Sequence, residues 1–245
     1  MKIATHDTKA DLGKAAAKEG ARLIREAIAA KGSANIIVAT GASQFETIEA
    51  LIREPDVSWH KVNFFHLDEY VGMPIDHPAS FRKYLWERLH QRLPLPPRLF
   101  CYLDGEGDPQ AECRRAGALI TQHPIDVCFA GIGENGHLAF NDPPADFDVE
   151  GPYLVVGLDD DCRRQQLGEG WFPTLEDVPR QAISMSIKQI MKSAHIILAV
   201  PDQRKANAVR TCLQGPVTPD APASIVLDHP SCQLFLDQES AALLT

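Results

Sequence analysis

Four apolar runs of strand length recur along the chain, Asn35–Ala39, Val62–Leu67, Ile125–Ala130 and His195–Val200, each followed by polar or glycine-containing residues and then by helix-like sequence. Runs so continuously apolar are suited to strands buried on both faces, and their alternation with helices predicts a mostly parallel sheet covered on both sides. From Asp11 to Ala30, Leu12, Ala15, Ala16, Leu23, Ile24 and Ile28 recur at helical spacing among Lys, Glu and Arg, the pattern of an amphipathic surface helix. Gln44–Leu51, Ser80–Arg92 and Pro109–Thr121 read as further helices, and Tyr153–Leu158 and Cys232–Leu236 as further strands. The expectation is a three-layer α/β fold with a Rossmann-like, mostly parallel sheet and helices on both faces. At 245 residues the chain fits one α/β domain spanning 1–245 better than two small ones. No linker or repeat divides it, and Pro94-Leu95-Pro96-Pro97 is a local extended loop.

In an open parallel sheet, ligands bind beyond the carboxyl ends of the strands. The four runs lead in turn into Thr40-Gly41-Ala42-Ser43, Asp68-Glu69-Tyr70, the glycine-rich stretch from Gly131 to Asp142, and Pro201-Asp202-Gln203-Arg204-Lys205. These four clusters are expected to converge on one crevice. Thr40 to Ser43 joins a strand to a helix, so its free amides and hydroxyls suit either a phosphate or an ordinary turn with Ser43 as N-cap. Asp68 and Glu69, at the end of an apolar strand, must be solvated, paired or functional. A carboxylate in a partly closed crevice has a raised pKa and suits a general base. Asp68 could instead cap a loop or pair with a nearby Arg; strand alternation sends Glu69 to the opposite face and makes it the weaker candidate for the base. His137 can move protons near neutral pH if Asp142 or Glu134 orients it, and is otherwise a solvated loop residue. Lys205 and Arg163 could clamp a phosphate, although each alone is an ordinary surface cation.

Gly131, Gly133 and Gly136 satisfy the spacing G-x-G-x-x-G, with Asp159 roughly 20 residues further on. A dinucleotide fingerprint must open a helix, and Asn141-Asp142-Pro143-Pro144 breaks one before it can extend. A nicotinamide or flavin site is therefore not expected.

A formal net charge of -9 and the lack of a Lys/Arg run argue against a nucleic-acid partner, while leaving room for a small anion held by amides and a few cations. Six cysteines are scattered without a C-x-x-C pair, and nine His are dispersed without a ligand-like i, i+4 spacing, so reduced structural thiols and no metal site are expected. The first residues form no signal-like apolar segment, and no stretch approaches the roughly 18 apolar residues of a membrane span. A soluble cytoplasmic protein without a membrane partner is expected.

Together these residues resemble the glucosamine-6-phosphate deaminase (isomerase) family, which is related to the 6-phosphogluconolactonases. The resemblance runs over nearly the whole chain, through Thr40-Gly41-Ala42-Ser43, Phe65-His66-Leu67-Asp68-Glu69-Tyr70-Val71-Gly72, His77-Pro78-Ala79-Ser80, Gly131 to Asn141, and Lys205-Ala206. Its most specific segments are Leu-Asp-Glu-Tyr and Asn-Gly-His-Leu-Ala-Phe-Asn. It implies a cofactor-free reaction on a phosphosugar, in which an amino-sugar phosphate opens, isomerises and loses ammonia to give fructose 6-phosphate. By motif, Asp68 resembles the base that moves a proton between C2 and C1, and His137 the group that assists ring opening. Gly41, Ala42 and Ser43, with Arg163 (or its neighbour Arg164) and Lys205, fall where the family grips the phosphate. The family's oligomeric state varies, so the resemblance admits a homo-oligomer.

Two positions depart from a common form of the pattern. Asn135 stands where many members have Asp, removing a charge near His137, and Asp142 stands where Glu is usual. Asp142 is shorter by one methylene, roughly an ångström of reach, a scale to which proximity effects are sensitive. Both could retune the substrate or the rate. A lactonase is the nearest rival, but its relatives carry Asp-Glu-Arg where this chain has Asp68-Glu69-Tyr70, and typically lack Ala-Phe-Asn after the His. A phosphosugar-sensing repressor would need an added helix-turn-helix, for which the chain is expected to leave no room.

Overall fold

The computed structural model describes residues 1–245. In chain order the strands and helices are β1 (Lys2–His6), α1 (Lys9–Lys31), β2 (Ala34–Val38), α2 (Phe45–Leu51), β3 (Val62–His66), β4 (Asp68–Tyr70), α3 (Phe81–Arg88), β5 (Leu99–Cys101), α4 (Pro109–Thr121), β6 (Val127–Ala130), β7 (Tyr153–Gly157), α5 (Asp160–Gly168), β8 (Gln181–Met185), α6 (Ile187–Met191), β9 (His195–Val200), α7 (Ala206–Gln214) and β10 (Cys232–Asp237). Seven strands form the central sheet in the order β1-β10-β9-β6-β2-β3-β5, and every neighbouring pair is parallel.

The apolar runs are buried on both faces, as their composition requires. Ile36, Phe64, Phe129 and Ile197 pack with Leu12, Ile24 and Ile48 of α1 and α2. The alternate residues Ile37, Phe65, Cys128 and Ile196 pack on the other side with Cys113, Ile190 and Val209 of α4, α6 and α7. Each fully buried Leu or Ile contributes roughly 1.5–3 kcal/mol relative to exposure, so the two layers together dominate the fold's stability. Helix α1 begins at Thr8, whose hydroxyl accepts from the amide of Asp11, and ends at Gly32 in the left-handed region, the preferred start and stop signals.

Two features of the topology position the site, the first of them a departure from the sequence expectation. The Tyr153–Leu158 run does not join the central sheet; it forms β7 of a separate antiparallel sheet, β4-β8-β7. The chain leaves the central sheet after His66, and Asp68 pairs instead with Ser184 of β8. This change of sheet turns the Asp68 segment across the carboxyl end of the parallel strands. The second feature is the order reversal: from β2 the chain runs outward to β3 and β5, then returns to place β6 on the other side of β2. Loops leaving β2 and β6 diverge there, and a crevice opens between them, as expected at a topological switch point.

Candidate active site

The cleft at the switch point is open to solvent, measures about 510 Å3 with its mouth included, and is lined by residues of all four predicted clusters, among them Thr40, Gly41, Ser43, Asp68, His137 and Lys205. A fifth wall comes from Gln165, Gln166 and Glu169 on and just after α5, a helix that no apolar periodicity announced.

Asp68 is 7 % exposed and its carboxyl receives one side-chain hydrogen bond, a long one of 3.4 Å from the Thr40 hydroxyl. Burial, and after it the neighbouring Glu69 charge, push its pKa up to about 8. The backbone beneath it is fixed by His66, whose Nδ1 lies 2.9 Å from the Asp68 carbonyl oxygen, while its Nε2 accepts from the amide of Leu103 at 2.9 Å. Those partners assign the proton to Nδ1, and burial holds this imidazole neutral, pushing its pKa down to about 3. Glu69 points the other way, as alternation requires. Its carboxylate accepts from the Ser80 hydroxyl and from the amides of Phe81 and Arg82, capping α3. The structural role open to either acid therefore falls to Glu69.

His137 sits in a loop of consecutive turns; no helix follows Gly136, so the glycine spacing is not a dinucleotide fingerprint. The ring is 8 % exposed and packs flat on Gly133, where a Cβ would come within 2.3 Å of three ring atoms. Only glycine allows this approach. His137 Nδ1 lies 3.1 Å from Asp142 Oδ1, although out of line for a hydrogen bond. Asn135 braces both residues: its Nδ2 donates to Asp142 Oδ1 and its Oδ1 accepts from the His137 amide, each at 3.1 Å. Burial pushes the Asp142 carboxyl up, but His137, Asn135 and the Asp159 amide outweigh it and hold the carboxyl below its usual range. Glu134, the other candidate partner of His137, pairs instead with Arg204 at 3.2 Å. Asn135 and Asp142 thus stand behind His137 rather than in the cleft wall.

At the opposite end of the cleft, Gly41 adopts φ +90°, a conformation that L side chains rarely adopt, and a tight 3-10 turn over Ala42–Gln44 follows. Lys205 lines the same cleft; it is 5 % exposed, and burial lowers its pKa. No carboxylate lies within 4.0 Å of its ammonium, whereas Arg204 beside it is paired. Glu169 reaches the turn from α5, its Oε2 lying 3.4 Å from the Ala42 amide nitrogen. A carboxylate thus sits where free amides would meet an anion.

Arg163 does not take the position expected of it. Its buried guanidinium donates to the carbonyls of Val178 and Leu175 and pairs with Asp160, so it faces away from the cleft. Arg164 pairs with Asp161 at 2.6 Å on the surface. Neither lines the cleft. The α5 segment Asp160–Gly168 is too polar to show a helical stripe, although Asp159, which caps it through the Cys162 amide, is a recognisable start signal.

The geometry joins a carboxyl of raised pKa, an imidazole backed by a carboxylate and an unpaired buried ammonium in one cleft. Fold and site together define a doubly wound α/β protein equipped for proton transfer on a small anionic ligand. The family model for glucosamine-6-phosphate isomerases/6-phosphogluconolactonase matches residues 7–235, and the chain belongs to this family. It is 38 % identical over 208 residues to a glucosamine-6-phosphate deaminase of Exiguobacterium sibiricum, covering 85 % of this chain and 80 % of that protein. It is 33 % identical over 244 residues to the Streptococcus pneumoniae protein of the same name, covering 100 % of both. A solved monomeric glucosamine-6-phosphate deaminase superposes with TM-score 0.91 at 33 % identity, covering 99 % of this chain and 100 % of that one. A 6-phosphogluconolactonase from Shewanella baltica, at 20 % identity and TM-score 0.79 with 97 % of each chain covered, shares the fold.

Proposed function

We propose that the protein is a glucosamine-6-phosphate deaminase, converting glucosamine 6-phosphate and water to fructose 6-phosphate and ammonia. The observation that carries this reading is the placement of Asp68, His137 and Lys205 on one cleft. The full-length similarity to proteins of that name supports it.

The amides of the Gly41–Ser43 turn and the Lys205 ammonium hold the phosphate, displacing the Glu169 carboxylate from the turn. Remote binding of the phosphate then fixes the sugar carbons against Asp68 and His137. His137 passes a proton to the ring oxygen as the C1–O bond breaks, and the C1 hydroxyl releases its own proton to water in the cleft, leaving an open-chain aldehyde. With C1 electrophilic, the C2 proton is acidic and Asp68 removes it, while the proton shed by the ammonium passes through water to the C1 oxygen, giving an enol with hydroxyl on C1 and amine on C2. Asp68 returns the proton to C1 and the double bond re-forms between C2 and nitrogen. Water adds at C2 and ammonia leaves, giving the ketose. The substrate's ammonium, bound beside Asp68, favours the carboxylate form that burial alone disfavours.

The similar solved deaminase is described as monomeric, and we read the reaction as one that a single chain can carry. We place it in the cytoplasm, where the six buried, unpaired cysteines suit a reducing compartment; no helix is long and apolar enough to cross a membrane. The test is ammonia release coupled to fructose 6-phosphate detection, with glucosamine 6-phosphate, galactosamine 6-phosphate and 6-phosphogluconolactone run in parallel. Ammonia and fructose 6-phosphate from glucosamine 6-phosphate are expected. Lactone hydrolysis without ammonia from either amino sugar would overturn the proposal.

A further inference from the structure

Behind the His137 ring, away from the sugar path, His137, Asp142 and Cys162 each present a ligand atom within 4.8 Å of the other two. The His137–Asp142 pair is explained by the proton-transfer role; the thiol, which lies against the Asp142 carboxylate, has no part in that role. Nor is His137 Nδ1 satisfied: it is buried and, despite its 3.1 Å approach to Asp142, has no hydrogen-bond partner. An unpartnered imidazole nitrogen, a carboxylate and a thiol closing on one point form a donor set suited to zinc.

We propose that His137, Asp142 and Cys162 form an inhibitory binding site for a divalent transition ion of the zinc class. Tetrahedral bonds of roughly 2.0–2.3 Å set ligand atoms about 3.3–3.7 Å apart. The nitrogen and oxygen already stand near that separation, so the adjustment required is a closure of about an ångström by the thiol. Cys162 lies in the first turn of α5 and the other two ligands in the loop after β6, so the ion would join two elements that are not neighbours in the chain. Water supplies the fourth ligand, as in sites with three protein donors. The thiol proton is released to solvent as the metal–sulfur bond forms, and no oxidant or reductant is needed. With the ion on both Nδ1 and the Asp142 carboxylate, the metal takes the place of a proton between them and the imidazole cannot cycle its proton, so turnover stops. The binding half stands on geometry alone, whereas the inhibitory half rests on the proposed deaminase reaction.

The test uses the intact protein with Co2+ and Zn2+ as probes. Co2+ is expected to give a near-ultraviolet thiolate-to-metal charge-transfer band with one equivalent bound, displaced by Zn2+. Both Cys162→Ala and Cys162→Thr should lose the band. Metal-free turnover of the variants should stay within about twofold of wild type, while the Zn2+ concentration for half-inhibition rises about tenfold or more. EDTA should restore the wild-type rate. No band in the wild-type protein, a band retained in either folded variant, or Zn2+ inhibition unchanged in them would overturn the site. If the protein turns over no amino-sugar phosphate, the proposed reaction fails, and the cobalt band still decides the metal site.

Discussion

His66 holds Asp68 by its main chain: the imidazole Nδ1–H donates to the Asp68 carbonyl across 2.9 Å, leaving the Asp68 carboxyl free to face the cleft. The same ring accepts from Leu103, so one buried, neutral histidine ties the turn between two sheets to the strand-end loop after β5. Tyr153 adds a second tie, its hydroxyl donating to the His66 carbonyl at 2.9 Å.

Taken by itself, the buried His66 makes stability fall in mild acid. The unfolded chain binds a proton at His66 near the ordinary imidazole value of 6.5, while the folded chain resists protonation down to about 3. The His66 contribution is therefore fully present above pH 6.5 and is lost as pH falls through that window, by about 1 kcal/mol per pH unit. Asp68, whose pKa is raised, contributes the opposite slope over much of the same range, so the His66 contribution is read by urea unfolding as the difference between wild type and a His66 variant from pH 7 to pH 4. His66→Gln should lower stability at pH 7 by about 1–3 kcal/mol, through imperfectly replaced hydrogen bonds, and that cost should shrink as the pH falls to 4. An identical slope in the variant would remove His66 as its source.

Asp68→Asn separates binding from chemistry. The amide keeps the shape of the carboxyl but cannot take the C2 proton, so turnover should vanish while phosphosugar binding, followed by calorimetry, stays within a few-fold of wild type. In the free protein Asp68 ionises at about 8, so kcat/KM should rise with pH and level off above that value. Because the folded pKa is raised above the unfolded value of 3.8, the stability tied to protonated Asp68 is present at low pH and lost as pH rises through about 8. The variant should therefore melt higher than wild type at pH 9. Wild-type turnover in Asp68→Asn would refute its role as base.

The glycine beneath His137 offers a second separation. Gly133 is not in a left-handed conformation, so alanine fits the backbone and meets only the imidazole, 2.3 Å away. Gly133→Ala should lower kcat by about a hundredfold through misplacement of the ring, with little change in phosphate binding. In a His137→Ala background the same change should have no further effect, since the clash is gone. Equal costs in both backgrounds, measured as a double-mutant cycle, would show that Gly133 acts on something else.

How far the sequence disclosed these relationships depends on how strongly each residue's role is written into local pattern. His195–Val200 and Pro109–Thr121 were readable to the residue, because a continuous apolar run and a capped amphipathic helix leave few alternatives. β8 was not: Ser184 is fully buried, where it donates its hydroxyl to main chain and receives Phe140, so a polar residue interrupts what would otherwise be an apolar strand. β5 is three residues long, too short for any period. The loop residues Asp68, His137 and Lys205 converge because the topology brings strand ends together, a rule that needs only the strand positions. Glu169 and the outward turn of Arg163 depend on how α5 packs, which nothing in Asp160–Gly168 encodes locally.

Glu169 supplies the last prediction, since its carboxylate lies at the Ala42 amide while Lys205, a free cation, lines the same cleft. A ligand phosphate must displace this carboxylate and takes up a position where a like charge stands close by, which costs affinity. Glu169→Gln removes the charge and keeps a side chain of the same length, so inorganic phosphate and phosphosugar should bind several-fold more tightly and KM should fall. Lys205→Met removes the opposite charge and should raise KM by about tenfold or more, with a smaller effect on kcat because the phosphate lies far from the reacting carbons. Calorimetric titration of both variants with inorganic phosphate reads the two effects without turnover. Opposite shifts are expected; weaker binding in Glu169→Gln would mean that this side chain holds the turn open for the anion instead of competing with it.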